Sequence, residues 1–165
     1  MKLRGLADTV GFAHLQEQME TFIKRADQSF ADTVEQKLKS AGVNSSDTWR
    51  VAVCPHDDYT YTSYMYPLAL KNIKAKTVIL FGVAHKARLL KLEDKIIFDS
   101  FTHWKGCYGN IQVSALREKI IAGLPQNIYE VNDEMQTIEH SVEGILPFYN
   151  TIIKKCSSFP FLFPQ

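Results

Sequence analysis

From His14 to Lys39 the apolar residues Leu15, Met19, Phe22, Ile23, Ala26, Phe30, Val34 and Leu38 recur three, four or one positions apart, the spacing of one stripe on a helix. The stretch AGVNSSDTW, residues 41–49, is dense in Gly, Asn and Ser and closes that helix. RVAVC, Arg50 to Cys54, is a β-rich run without period-two alternation, which predicts a strand covered on both faces. Tyr61 to Asn72 predicts a helix with Pro67 in its first turn or at a kink, and TVILFG, Thr77 to Gly82, repeats the pattern of a buried strand.

Strand, connector of about twenty residues and strand is the signature of a βαβ unit with parallel strands. Parallel strands put their carboxyl ends on one edge, and open α/β sheets bind ligands outside that edge. His56 follows the end of the first strand and His85, in GVAH, follows the end of the second. The topology therefore predicts that these two imidazoles are neighbours in space.

Further along, KIIFDS (95–100) reads as a third strand and SFTHWKGCYGN (100–110) as a Gly-bearing loop. IQVSALREKIIAGL gives a short extended piece and an amphipathic helix closed by Gly123, and NIYEVN gives a fourth strand. Residues 135–155 read as a helix with Thr137 as N-cap and a bend at Pro147. The fold class expected is α/β, a mostly parallel or mixed central sheet flanked by helices, in a single domain over 1–165.

Composition narrows the function classes. The chain has 165 residues, 22% charged and 45% apolar, which is ordinary globular usage. A net charge of +1 and the lack of a basic patch interleaved with aromatics exclude a nucleic-acid surface. No apolar run approaches the roughly 20 residues of a membrane span, and the N-terminus has no apolar signal core, so a cytoplasmic protein without membrane partners is expected. Cys54, Cys107 and Cys156 are odd in number and widely spaced, against a disulfide framework or a zinc knuckle, and read as free thiols.

The candidate chemistry lies in VAVCPHDDYTYTS, residues 51–63, and in two later histidine stretches. Imidazole suits zinc, copper and iron, and two histidines with one further protein ligand and open positions make a reactive metal site. His56, His85 and His140, with Asp57, Asp58 and Glu139, are the donors on offer. A single loop histidine reads first as a hydrogen-bonded surface group; a shared strand edge is what raises His56 and His85 above that. His140, near a helix start in TIEHSVE, reads as ligand, general base or capping residue. Tyr59 and Tyr61 read as pocket lining or packing, and His14 and His103 as structural or exposed. GVAHKA lacks the P-loop and dinucleotide patterns.

Together these motifs resemble a known set. PHDDYTYTS is similar to the PHAGYxYSG motif of the Memo-like family, also called AmmeMemoRadiSam system protein B; GVAH is similar to its GPSH, and EHSVEGILPFY to its EHSxExxLPFL. The three occur in family order, RGLADTVGFAH resembles the start of bacterial members, and the resemblance covers residues 4 to 155. It implies an α/β fold similar to the LigB subunit of class III extradiol dioxygenases, enzymes that hold non-haem Fe(II). By position it implies His56 and His85 as metal ligands for Fe(II) or copper and His140 as the catalytic pocket histidine; Asp57, Asp58, Tyr59 and Glu139 are expected around the pocket from their place beside these histidines.

Two departures stand out. Asp57 and Asp58 replace the family's Ala-Gly, adding carboxylates that either join or crowd the site. After LPFY the family continues with further strands and a third ligand, a Cys, where this chain reads KKCSSFPFLFPQ; Cys156 does not match that Cys. The expectation is a domain lacking its C-terminal part, with an exposed sheet edge that invites self-association. The functions expected are a dioxygenase-like or redox metalloprotein, a non-enzymatic module binding a small molecule or peptide in the same pocket, and, least supported, a hydrolase using Asp57 or Asp58.

Overall fold

A computed structural model describes residues 1–62, 64–75 and 77–148 and the backbone of residues 161–162. It is a mixed α/β structure with short strands in three groups. Helix α1, Gln16–Ser40, begins where the Gln18 side chain accepts from the amides of His14 and Leu15 at 3.0 and 3.1 Å. It ends at Gly42, whose φ of 69° suits a residue without Cβ, while the Val43 amide reaches back to the Leu38 carbonyl. Its buried residues Met19, Ala26 and Val34 lie on the predicted stripe.

Strand β1 (Leu3–Arg4) runs parallel to β4 (His103–Gly106), which forms an antiparallel hairpin with β5 (Gly109–Gln112). β2 (Leu80–Phe81) pairs in parallel with β7 (Phe161–Leu162), and β3 (Ile96–Phe98) in parallel with β6 (Tyr129–Val131). Helices α2 (Tyr59–Thr62) and α3 (Met65–Leu70) lie between the two histidine-bearing loops, α4 (Leu116–Gly123) precedes β6, and α5 (Asp133–Ile138) follows it. One apolar cluster gathers around Ile97, Trp104, Met135 and Leu146; the other around Met19, Tyr59, Tyr66 and Phe148. Among the described residues no helix is long and apolar enough to cross a membrane.

Several sequence expectations are corrected. Arg50–Cys54 forms no strand and has no ladder partner among the described residues, and Val51 and Val53 are 82% and 92% exposed. Ala52 and Cys54 are half-buried, so the run is covered on one side only and not on both. The second run is one-sided too, with Ile79, Phe81 and Val83 exposed. The Gly-bearing loop at 100–110 is the β4–β5 hairpin, whose tight turn at Cys107–Tyr108 leads into Gly109 at φ 118°.

The helix expected over 135–155 starts earlier and breaks sooner. Asn132 is the N-cap of α5, its side chain accepting from the Met135 amide at 2.8 Å. Thr137 lies inside the helix and bonds back to the Asp133 carbonyl. Backbone at Glu139 is extended, and a 3-10 turn follows at Glu143–Ile145. Pro67 does sit in the first turn of α3, where its missing N–H has no helical partner to lose. Cys156 and the tail that departs from the family lie outside the described residues.

Candidate metal centre

Each histidine of the cluster is delivered by a break in regular structure. His56 precedes the turn into α2, and that turn is fixed by Asp58, whose side chain accepts from the Thr60 amide at 2.7 Å. Tyr59 anchors it: its amide donates to the Gly11 carbonyl and its hydroxyl to the Gly144 carbonyl at 2.6 Å. Gly11 has φ 78°, and a Cβ there would lie 2.5 Å from an Asp58 oxygen. His85 comes out of β2 into a 3-10 turn at Ala87–Leu90, and His140 follows the end of α5.

His56 Nε2 and His85 Nε2 stand 3.2 Å apart. The His140 ring centroid is 5.5 Å from that of His85 and 6.3 Å from that of His56. The two histidines are neighbours as the strand-end argument predicts, but the βαβ unit it rested on is not found: among the described residues the first run pairs with no strand.

Glu139 organises the middle of the cluster. It is 2% exposed, and its carboxylate accepts from the amides of His85, His140 and Ser141 at 2.8 to 2.9 Å and faces His85 Nδ1 at 3.0 Å. Burial pushes its pKa up, but the Ser141 amide and the two His85 contacts outweigh that, and the carboxyl is held below its ordinary range. When His85 carries its ring proton on Nδ1, the ionised Glu139 accepts it, and in that tautomer Nε2 keeps its lone pair. A ligand histidine backed by a carboxylate is oriented in just this way. His56 is held below the ordinary imidazole range by burial, then by His85 and His140, with Glu139 and Asp57 opposing.

Two ring nitrogens at this separation fit a metal ion. For nitrogen–metal bonds of about 2.0–2.1 Å, donors at this separation subtend roughly 100° at the ion, between the octahedral and tetrahedral ideals. Ligand-capable atoms of His85, Glu139 and His140 also lie within 4.8 Å of one another. Because the Glu139 oxygens already receive three amides and an imidazole, we assign that carboxylate to orientation and His140 to the open side of the pocket.

The remaining sequence candidates fall away from the histidines. The Asp57 side chain accepts from the Asp58 amide and is exposed; it reaches His56 only through its charge. Asp58 caps α2. Tyr59 is 4% exposed in an aromatic cluster with Phe12, Phe22, Tyr66 and Phe148, so it packs and does not line the pocket. Tyr61 is exposed. Burial pushes the Cys54 thiol up to about 12, and Cys107, up to about 11, donates to the Ala13 carbonyl; both are free thiols and neither is a ready thiolate.

Two contributions had no sequence signal. Asp8 Oδ2 lies 3.5 Å from His140 Nδ1. Arg4, 1% exposed, pairs with Glu143, donates to the Glu139 and Gln136 carbonyls at 2.5 and 3.0 Å, and lies over the Trp104 ring. Both are contacts across almost the whole chain, between residues that are unremarkable where they stand in the sequence.

No curated protein matches the sequence. The family model described as Memo-like protein matches residues 15–164, a span that includes all three histidines and Glu139, and the chain belongs to the Memo-like family.

Proposed function

We propose that His56 and His85 hold a transition metal, Fe(II) or copper, and that His140 is the acid–base group of the same pocket, in a protein with dioxygenase-like or other redox chemistry. The observation that carries this reading is the 3.2 Å approach of the His56 and His85 Nε2 atoms, with the buried Glu139 carboxylate facing the other nitrogen of His85. When bound, the ion supplies a Lewis acid or a one-electron centre. This chain's residues supply the rest: Glu139 fixes the His85 ring, and His140 holds or moves a proton beside the ligand. The resemblance to class III extradiol dioxygenases supports an aromatic diol as the substrate class to try first, by analogy of fold and site.

Anaerobic titration with Fe(II) and Cu, comparing wild type with His56→Ala and His85→Ala, tests the ligand set. Binding is expected only in the wild type, and equal affinity in all three would remove the metal assignment. Oxygen uptake with catechols, compared between wild type and His140→Ala, then tests the catalytic role.

One observation favours a second reading. The His85 side chain is 41% exposed, more open to water than a site that must exclude it. In that reading the pocket is a non-enzymatic module for a small molecule or peptide, and ligand binding persists in the presence of chelators.

A further inference from the structure

We infer that Asp8 is a positioning residue of this pocket: its carboxylate holds the Nδ1–H of His140 and leaves Nε2 as the proton-accepting nitrogen. The inference deepens the reading of His140 as the pocket's acid–base group and rests on it. The two Asp8 oxygens are differentiated. Oδ1 accepts from the Val10 amide at 2.9 Å, which fixes the carboxylate plane, and Oδ2 is the atom 3.5 Å from His140 Nδ1. Catalytic contacts are often this long before a ligand is bound.

The segment carrying Asp8 is built into the site. The Glu143 carboxylate accepts from the Ala7 amide at 2.8 Å and the Asp8 amide at 3.1 Å. Glu143 is itself paired with the buried Arg4, and Arg4 also holds the carbonyl of Glu139, the residue before His140. One guanidinium therefore sets both the strap that carries Asp8 and the backbone that carries His140. Phe12, four residues on, packs on the His140 ring at 5.7 Å and fits against Gly144, where a Cβ would meet it at 2.8 Å.

Both partners are about one third exposed, so the contact adds little to stability; its effect is on which nitrogen carries the proton. A histidine side chain free in water favours the Nε2–H form. A carboxylate on Nδ1 inverts that preference and presents the Nε2 lone pair to the pocket. Asp8 lies outside the residues 15–164 that match the family, so the matched segment does not by itself contain this half of the dyad.

The test uses the full chain without metal, at a pH well above the ordinary imidazole range, and reads the His140 ring nitrogens by long-range proton–nitrogen correlation. Wild type is expected to show Nδ1–H as the major tautomer. In Asp8→Ala the Nδ1–H to Nε2–H ratio should fall by about fivefold, the shift that one hydrogen bond of ordinary strength carries. Asp8→Asn, whose amide oxygen still accepts, should keep most of the wild-type ratio, a rescue that a merely structural role would not give. A wild type dominated by Nε2–H, or an Asp8→Ala ratio equal to wild type, would overturn the inference. The measurement needs no metal, so failure of metal binding in the titrations above refutes the ligand set without touching this result. Asp8→Ala in turn should bind metal within a few-fold of wild type.

Discussion

Breaking the Arg4–Glu143 pair should cost far more in single variants than in the double one. Arg4 is 1% and Glu143 6% exposed, so water solvates neither charge, and each leans on the other beside its backbone hydrogen bonds. Burial lowers the Arg4 pKa to about 10, with Asp99 and Glu139 opposing, and the guanidinium stays charged at neutral pH. Arg4→Met strands the Glu143 carboxylate and removes the donors on the Gln136 and Glu139 carbonyls. Removing one partner of a buried pair costs about 3–5 kcal/mol. Glu143→Leu strands the guanidinium by the same amount and also frees the Ala7 and Asp8 amides, adding about 1 kcal/mol.

In the double variant no charge is left buried. What remains is a set of unpaired carbonyls and partly exposed amides, about 2–4 kcal/mol in all. The singles sum to roughly 7–11 kcal/mol on these figures, so the coupling should be at least about 3 kcal/mol. Urea unfolding followed by the fluorescence of Trp104, which lies beneath the Arg4 guanidinium, measures all four corners of the cycle. Glu143→Gln, which keeps the side-chain shape, is the milder arm if Glu143→Leu is too unstable to purify. Additivity within about 0.5 kcal/mol would refute the reasoning, because it would mean that neither charge depends on the other.

Three further outcomes are expected. Glu139→Gln should weaken metal binding by about 10–100-fold in a competition titration, since the amide cannot hold His85 Nδ1–H and three backbone amides at once; unchanged affinity would exclude Glu139 from ligand orientation. Burial raises Asp99 from 3.8 to about 6, against the pull of Arg117, the Trp104 indole N–H and the Phe101 amide. The folded state then binds more protons than the unfolded one across that window, so this group's contribution falls as pH rises through it. The stability gap between wild type and Asp99→Asn in urea should change over the same window, and a constant gap would refute the assignment. Gly11→Ala should cost about 1–3 kcal/mol through its positive φ and the clash with Asp58, lowering Tm by about 2–4 °C per kcal/mol, while Gly123→Ala, with open space at its Cβ, should be neutral or stabilising by calorimetry.

The fold was legible where a local pattern decides the structure. The stripe of α1, the strands at 96–98 and 129–131, and the helix ending at Gly123 are all set by spacing and punctuation within a few residues. Three elements were not legible, for different reasons. β1 has two residues, and its partner β4 lies about a hundred positions away, so no periodicity could announce it. The β4–β5 hairpin has four-residue strands whose glycines read as loop. At Arg50–Cys54, apolar content was taken for two-sided burial, although Ala52 and Cys54 are half-buried and Val51 and Val53 are exposed. Composition says how apolar a run is, and only its neighbours say which face is covered.

The site divides along the same line. His56 and His85 were paired from sequence by a βαβ argument whose first strand does not form among the described residues; what holds is that each follows an apolar run, and the two runs bring the rings together. Asp57 and Asp58 were weighed as added donors, but a carboxylate directly before a helix has a local use, and Asp58 takes it as the cap of α2. Glu139 was named as pocket carboxylate, yet its role turns on three amides that converge only after the chain breaks behind α5. Asp8 is the extreme case. Its contact with His140 depends on a strap held by Glu143, which depends in turn on Arg4, so three long-range polar contacts must form before the residue has a function to show. Sequence reading therefore finds the groups whose chemistry is intrinsic, such as imidazoles after apolar runs, and misses those whose chemistry consists in positioning another group.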